Sequence, residues 1–112
     1  MNKIPHTIIF AALLVAGAAL AAEGKVTISS PADGATVSSA SSVKVTFEAV
    51  LGPNGNHLHL NVDGKRVDVV RETKGTVEVD ALPPGNHQIC LAVNTSSHVP
   101  TGVEGCVNVT SK

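Results

Sequence analysis

Tryptophan and tyrosine are absent from this sequence, and its two phenylalanines are Phe10 and Phe47. Sugars, bases and methylammonium groups are gripped on exposed π-faces, so the composition disfavours carbohydrate as a partner. Neither sign of charge dominates: 8 Lys and Arg stand against 9 Asp and Glu, a formal net charge of −1, with the signs interspersed. Nothing in that pattern draws nucleic acid or an anionic membrane. Nucleophile motifs are missing as well. No Gly-x-Ser-x-Gly elbow and no Cys-x-x-Cys pair occurs, and Glu48, Glu78 and Asp80 fall on solvent-facing strand positions, so the chain reads as a non-enzyme.

The apolar run over 8–20 is too short to span a bilayer comfortably. With Lys3 before it and Ala19-Leu20-Ala21 at its end, it reads as an export signal over 1–21, cleavage after Ala21 or after Ala22 both being acceptable. The mature chain, 22–112, is then about 90 residues, the size of one small domain. Phe47 becomes its only aromatic, and loss of Lys3 moves the net charge to about −2. No cysteine follows the run, so lipid attachment is not indicated. Ala22 or Glu23 as the new first residue excludes a site built on an amino-terminal histidine. The expected location is the periplasm or the exterior, with no membrane span in the mature chain.

What remains is rich in alternation. Strands are predicted over 25–29, 42–50, 57–62, 65–70, 76–82, 86–94 and 103–110, with Val37 tacked onto a sheet edge. Inward positions are Val43, Val45, Phe47 and Ala49; Leu58, Leu60 and Val62; Val67 and Val69; Val77, Val79 and Ala81; Ile89, Leu91 and Val93; Val107 and Val109. Between them stand Pro31, Asp33-Gly34, the cluster 52–56, Asp63-Gly64 and Pro83-Pro84-Gly85, all turn or breaker signals. Seven short strands with no helical periodicity make an all-β, seven-stranded antiparallel β-sandwich.

Cys90 and Cys106 in an exported chain point to one disulfide; two buried thiols or a redox pair are the alternatives. The strand pattern offers a check. Pairing Cys90 with Cys106 across a hairpin sets Ala92 opposite Glu104 and Gln88 opposite Asn108, all on the outer face. Closing that loop contributes about 3 kcal/mol on the chain-entropy estimate.

The chain resembles small exported bacterial domains of immunoglobulin-like or fibronectin type III-like fold. The resemblance is carried by Ser30-Pro31-Ala32-Asp33-Gly34-Ala35-Thr36-Val37, by His57-Leu58-His59-Leu60 with Val62-Asp63-Gly64, by Leu82-Pro83-Pro84-Gly85-Asn86-His87, and by His98-Val99-Pro100 between the cysteines. It implies a fold and an exported location, and it brings no activity with it. The tryptophan and inter-sheet cysteine pair of antibody domains are missing, so the antibody type is not indicated.

In the seven-strand topology where 57–62, 65–70, 86–94 and 103–110 share a sheet, the loops before 57 and after 94 meet at one end. His57, His59 and His98 then converge. Residues i and i+2 of a strand are about 6.5–7 Å apart, close enough for two imidazoles to hold one ion, and His98 would leave a fourth position open. With Met1 removed and the cysteines oxidised, imidazole ligands suit Zn(II) or Cu(II). The competing reading is a solvated His-x-His face, and no acidic partner for these rings is visible in the sequence. His87 shares parity with Ile89 and follows a Pro-Gly corner, so it reads as structural. The first functional reading is a binding or accessory module, for an unknown protein, working at the His98 end; the second is a periplasmic Zn(II) or Cu(II) binding protein.

Overall fold

The computed structural model describes residues 23–112, so the signal-peptide expectation over 1–21 lies outside the described residues. Eight strands run in chain order: β1 Lys25–Ser30, β2 Ala35–Val37, β3 Val43–Val50, β4 His57–Val62, β5 Lys65–Val70, β6 Lys74–Val79, β7 Gly85–Asn94 and β8 Pro100–Ser111. They form two sheets, β1-β3-β6 and β2-β8-β7-β4-β5. The sequence-based count of seven is thus corrected to eight. The added strand is β2, three residues that pair parallel with the end of β8, Ala35 against Val109 and Val37 against Ser111. Small, polar residues gave it no period of its own.

The core is the seam between the two sheets. Val43, Val45, Phe47 and Ala49 of β3 face Leu58 and Leu60 of β4, Ile89, Leu91 and Val93 of β7, and Val107 and Val109 of β8, all buried. Burying each of the larger side chains contributes about 1.5–3 kcal/mol. Two inward assignments change. In β5 the buried residue is Val70, while Val67 is 56% exposed. A bulge opposite the Leu60–Asn61 step, where the partners jump from Asp68 to Arg66, inserts one residue and reverses the parity. After β6, Leu82 rather than Ala81 turns inward, because the strand has already ended at Val79. β8 also begins earlier than expected, at Pro100, a position that tolerates the missing donor.

The cysteine register holds as expected. Cys90 pairs with Cys106, Ala92 with Glu104 and Gln88 with Asn108, and Cys90–Cys106 is a disulfide.

The β4–β5 turn has both central residues at positive φ, Asp63 at 51° and Gly64 at 85°, the type I′ geometry that matches strand twist. Asp63 is more than a turn residue. Its Oδ1 accepts from the Gln88 amide at 2.9 Å, and its Oδ2 accepts from His87 Nδ1–H at 2.6 Å. The other ring nitrogen of His87, Nε2–H, donates to the Pro83 carbonyl at 2.8 Å. With an acceptor on each side, both nitrogens must carry protons, so His87 is an imidazolium. Its pKa is raised from 6.5, first by the Asp63 hydrogen bond and then by Pro83, and the same contact lowers that of Asp63 from 3.8. His87 is therefore structural, tying hairpin to corner.

Two outcomes follow from this packing. Gly105 opposes Leu91 on β8, and a Cβ there would meet the Val26 carbonyl oxygen at 2.5 Å. Gly105→Ala is expected to destabilise by about 1–3 kcal/mol, read as a lower urea midpoint at unchanged slope. A raised His87 pKa stabilises fully below pH 6.5 and is lost as pH climbs through the folded value; a lowered Asp63 pKa stabilises above pH 3.8 and is lost as pH falls through its folded value. Stability from this pair should peak between those limits. The alkaline decline should vanish in His87→Gln, measured as midpoint against pH.

Candidate metal centre

Period two on β4 puts Leu58 and Leu60 into the core and His57 and His59 on the opposite face of the same sheet. That face is not solvated here. His57 is 1% and His59 8% exposed, because the β7–β8 loop folds back over them. Across the ladder His57 opposes Asn94 and His59 opposes Ala92; the small alanine leaves room for the loop.

The loop is a tight cage around Thr95. The Thr95 amide donates to the Val99 carbonyl at 2.8 Å, and the His98 amide donates to the Thr95 carbonyl at 2.9 Å. The hydroxyl oxygen of Thr95 accepts from the amides of Ser97 and Val99 at 3.3 and 3.2 Å. His98 itself sits at φ 64°, a left-handed conformation uncommon outside glycine. The strain aims its ring at the strand. The β3–β4 loop is brought to the same end by the Asn56 amide, which donates to the Asn94 carbonyl at 2.8 Å.

The expected convergence is present. His57 Nε2 lies 3.1 Å from His59 Nε2 and 3.2 Å from His98 Nδ1, and His59 Nε2 lies 3.0 Å from His98 Nδ1. Protons cannot satisfy this triangle. An imidazole nitrogen carries either an N–H or a lone pair, never both, so of three nitrogens at least two are alike. At least one of the three contacts then sets hydrogen against hydrogen or lone pair against lone pair. A cation shared by three lone pairs relieves all of them together.

The chemistry of the rings matches that role. His57 Nδ1–H donates to Asn56 Oδ1 at 2.9 Å, which fixes the tautomer and leaves Nε2 with its lone pair toward the cluster. Burial is the first cause lowering the pKa of both His57 and His59 below 6.5, followed by neighbouring histidines and by Arg71 and Arg66 for His57, and by His57, Arg66 and His98 for His59. Both are neutral at pH 7 and available as ligands. Nitrogens 3.0–3.2 Å apart are close enough that the three could hold one ion at Zn–N distances of about 2.0–2.1 Å.

The sequence expectation lacked one residue, Asn56. An acidic partner was sought, whereas the orienting acceptor is a carboxamide immediately before His57, hidden among the turn residues of 52–56. A further polar atom at the site has no partner among the described residues: Asn94 Oδ1, buried beside His57 in the ladder, while its Nδ2 donates to the Ala92 carbonyl at 3.1 Å. His87 takes no part; it belongs to the other end of β7. A second grouping, Cys90, Glu104 and Cys106, has both sulfurs in the disulfide.

No family model matches the sequence, and no curated protein matches it as a relative. Solved structures do. The fibronectin(III)-like modules of Clostridium thermocellum CbhA match with a TM-score of 0.61 and 20% identity, over 78% of this chain and 95% of that one. An engineered protein matches at 0.54 and 20% identity, over 80% of this chain and 20% of that one. A Jonesia denitrificans lytic polysaccharide monooxygenase matches at 0.51 and 22% identity, over 73% and 60%. At these identities the likeness is one of fold, and the chain has a fibronectin type III-like β-sandwich.

Proposed function

We propose that this chain is an exported, non-enzymatic β-sandwich module that binds one divalent transition-metal ion, Zn(II) or Cu(II), through His57 Nε2, His59 Nε2 and His98 Nδ1. The observation that carries the reading is the nitrogen triangle, whose 3.0–3.2 Å sides no arrangement of protons satisfies. The donor set decides the class of ion. Three imidazoles without thiolate, thioether or carboxylate suit borderline ions rather than Ca(II), Mg(II) or a soft Cu(I) centre. When bound, the ion supplies a Lewis-acidic open position; the chain supplies the orientation of His57 through Asn56 and the exclusion of water from two of three ligands.

Export is supported by the leader-like N-terminus and by the Cys90–Cys106 disulfide, which persists in oxidising compartments. Carbohydrate is disfavoured despite the lytic polysaccharide monooxygenase among the similar folds. Phe47 is the only Phe, Tyr or Trp of the described residues and is 3% exposed, so no benzenoid or indole face is left for a sugar to stack on.

Calorimetric titration of the mature protein with Zn(II) and Cu(II) is expected to give one site per chain, tighter than about 1 μM, or about −8 kcal/mol. His57→Ala, His59→Ala and His98→Ala should each weaken it by more than about 100-fold, and Asn56→Ala by about 10-fold. His87→Ala should leave it unchanged. Metal at 100 times its Kd should add about 2.7 kcal/mol to folding stability, read as a raised melting midpoint. Absence of saturable uptake of either metal would overturn the reading.

A further inference from the structure

The group of potential ligand atoms around the three histidines contains no carboxylate. Glu104 is the nearest acidic residue in register on this face, opposite Ala92, and its carboxylate gathers with the two cysteine sulfurs instead. The other flank is basic. Arg66 pairs with Asn61, two residues past His59 and on the same face of β4. Arg71 follows Val70, the partner of Leu58, and so comes alongside His57. Both arginines are exposed, and among the described residues neither forms an ion pair.

An ion held by imidazoles alone would therefore sit on the face that carries two guanidiniums, with no carboxylate of the described residues among its potential ligand atoms. Concentrated positive charge at a half-buried site is costly until an anion joins it. The two-residue Asp63-Gly64 turn has a part here, for it sets Arg66 opposite Asn61 and so onto this face.

Building on the metal-binding reading, we infer that the centre takes an oxyanion as its external ligand, one carboxylate or phosphate oxygen on the open side of the metal and the others held by Arg66 and Arg71. The guanidinium fork matches either anion in a two-bond geometry that a lysine could not reproduce. Free acetate-like acids and inorganic phosphate share this chemistry, and the experiment separates them.

Protein carrying one equivalent of Cu(II) in a non-coordinating buffer is titrated with acetate in one arm and inorganic phosphate in the other, followed by the copper paramagnetic resonance spectrum. A saturable spectral change in at least one arm, with half-saturation below about 10 mM, is expected. In Arg66→Gln with Arg71→Gln, the same change should require at least about tenfold more anion, while copper still binds one per chain in buffer alone. Which arm responds names the oxyanion. A spectrum indifferent to both anions, or the same titration in the doubly substituted protein, overturns the inference and leaves metal binding standing. Failure of the unsubstituted protein to take up copper removes both.

Discussion

Three imidazole nitrogens are held so close that their own protons cannot reconcile them, and the rest of this end of the molecule exists to keep them there. Left alone, the arrangement carries a repulsive contact and two desolvated rings. Both are costs, and a protein only marginally stable bears them where the surrounding structure over-determines the geometry. Here the determination is strong. His57 and His59 stand on a strand paired on both sides, between β5 and β7, and His98 is fixed by a loop whose four internal hydrogen bonds converge on one threonine.

β4 is secured at both of its ends by side chains that answer to different demands. At the loop end Asn56 holds the ring of His57; at the hairpin end Asp63 holds His87 and the Gln88 amide. The same residue type, histidine, is neutral at one end and charged at the other. Burial without an anion governs the first, and a carboxylate with a carbonyl governs the second. This separation means that acidification reaches the two ends in turn, protonating His57 and His59 below their lowered pKa values and the Asp63 carboxylate that holds the corner only at more acid pH.

Much of this was legible in the residues. The alternation of 57–62 placed leucines and histidines on opposite faces, and the numbers of the two cysteines set a register from which the partners of Ala92 and Gln88 followed. The division of strands between sheets and the meeting of the loops at the His98 end came from topology. Other features had no one-dimensional signal. The parity of the second half of β5 turned on a bulge, which moved Val70 inward, and no composition marks where an extra residue is accommodated. β2 is held by a neighbour's edge, not by its own pattern. The burial of His57 and His59 depended on a left-handed histidine and a threonine cage that fold the loop back over the strand, whereas sequence alone favoured a solvated face.

The division of the ligands between a rigid strand and a short turn bears on traffic through the centre. Two nitrogens belong to the middle of a five-stranded sheet and cannot part without breaking a ladder, whereas the third rides on the exposed span between β7 and β8. An ion bound as proposed would therefore meet solvent on the side of the exposed His98 ring, with two ligands anchored in the sandwich.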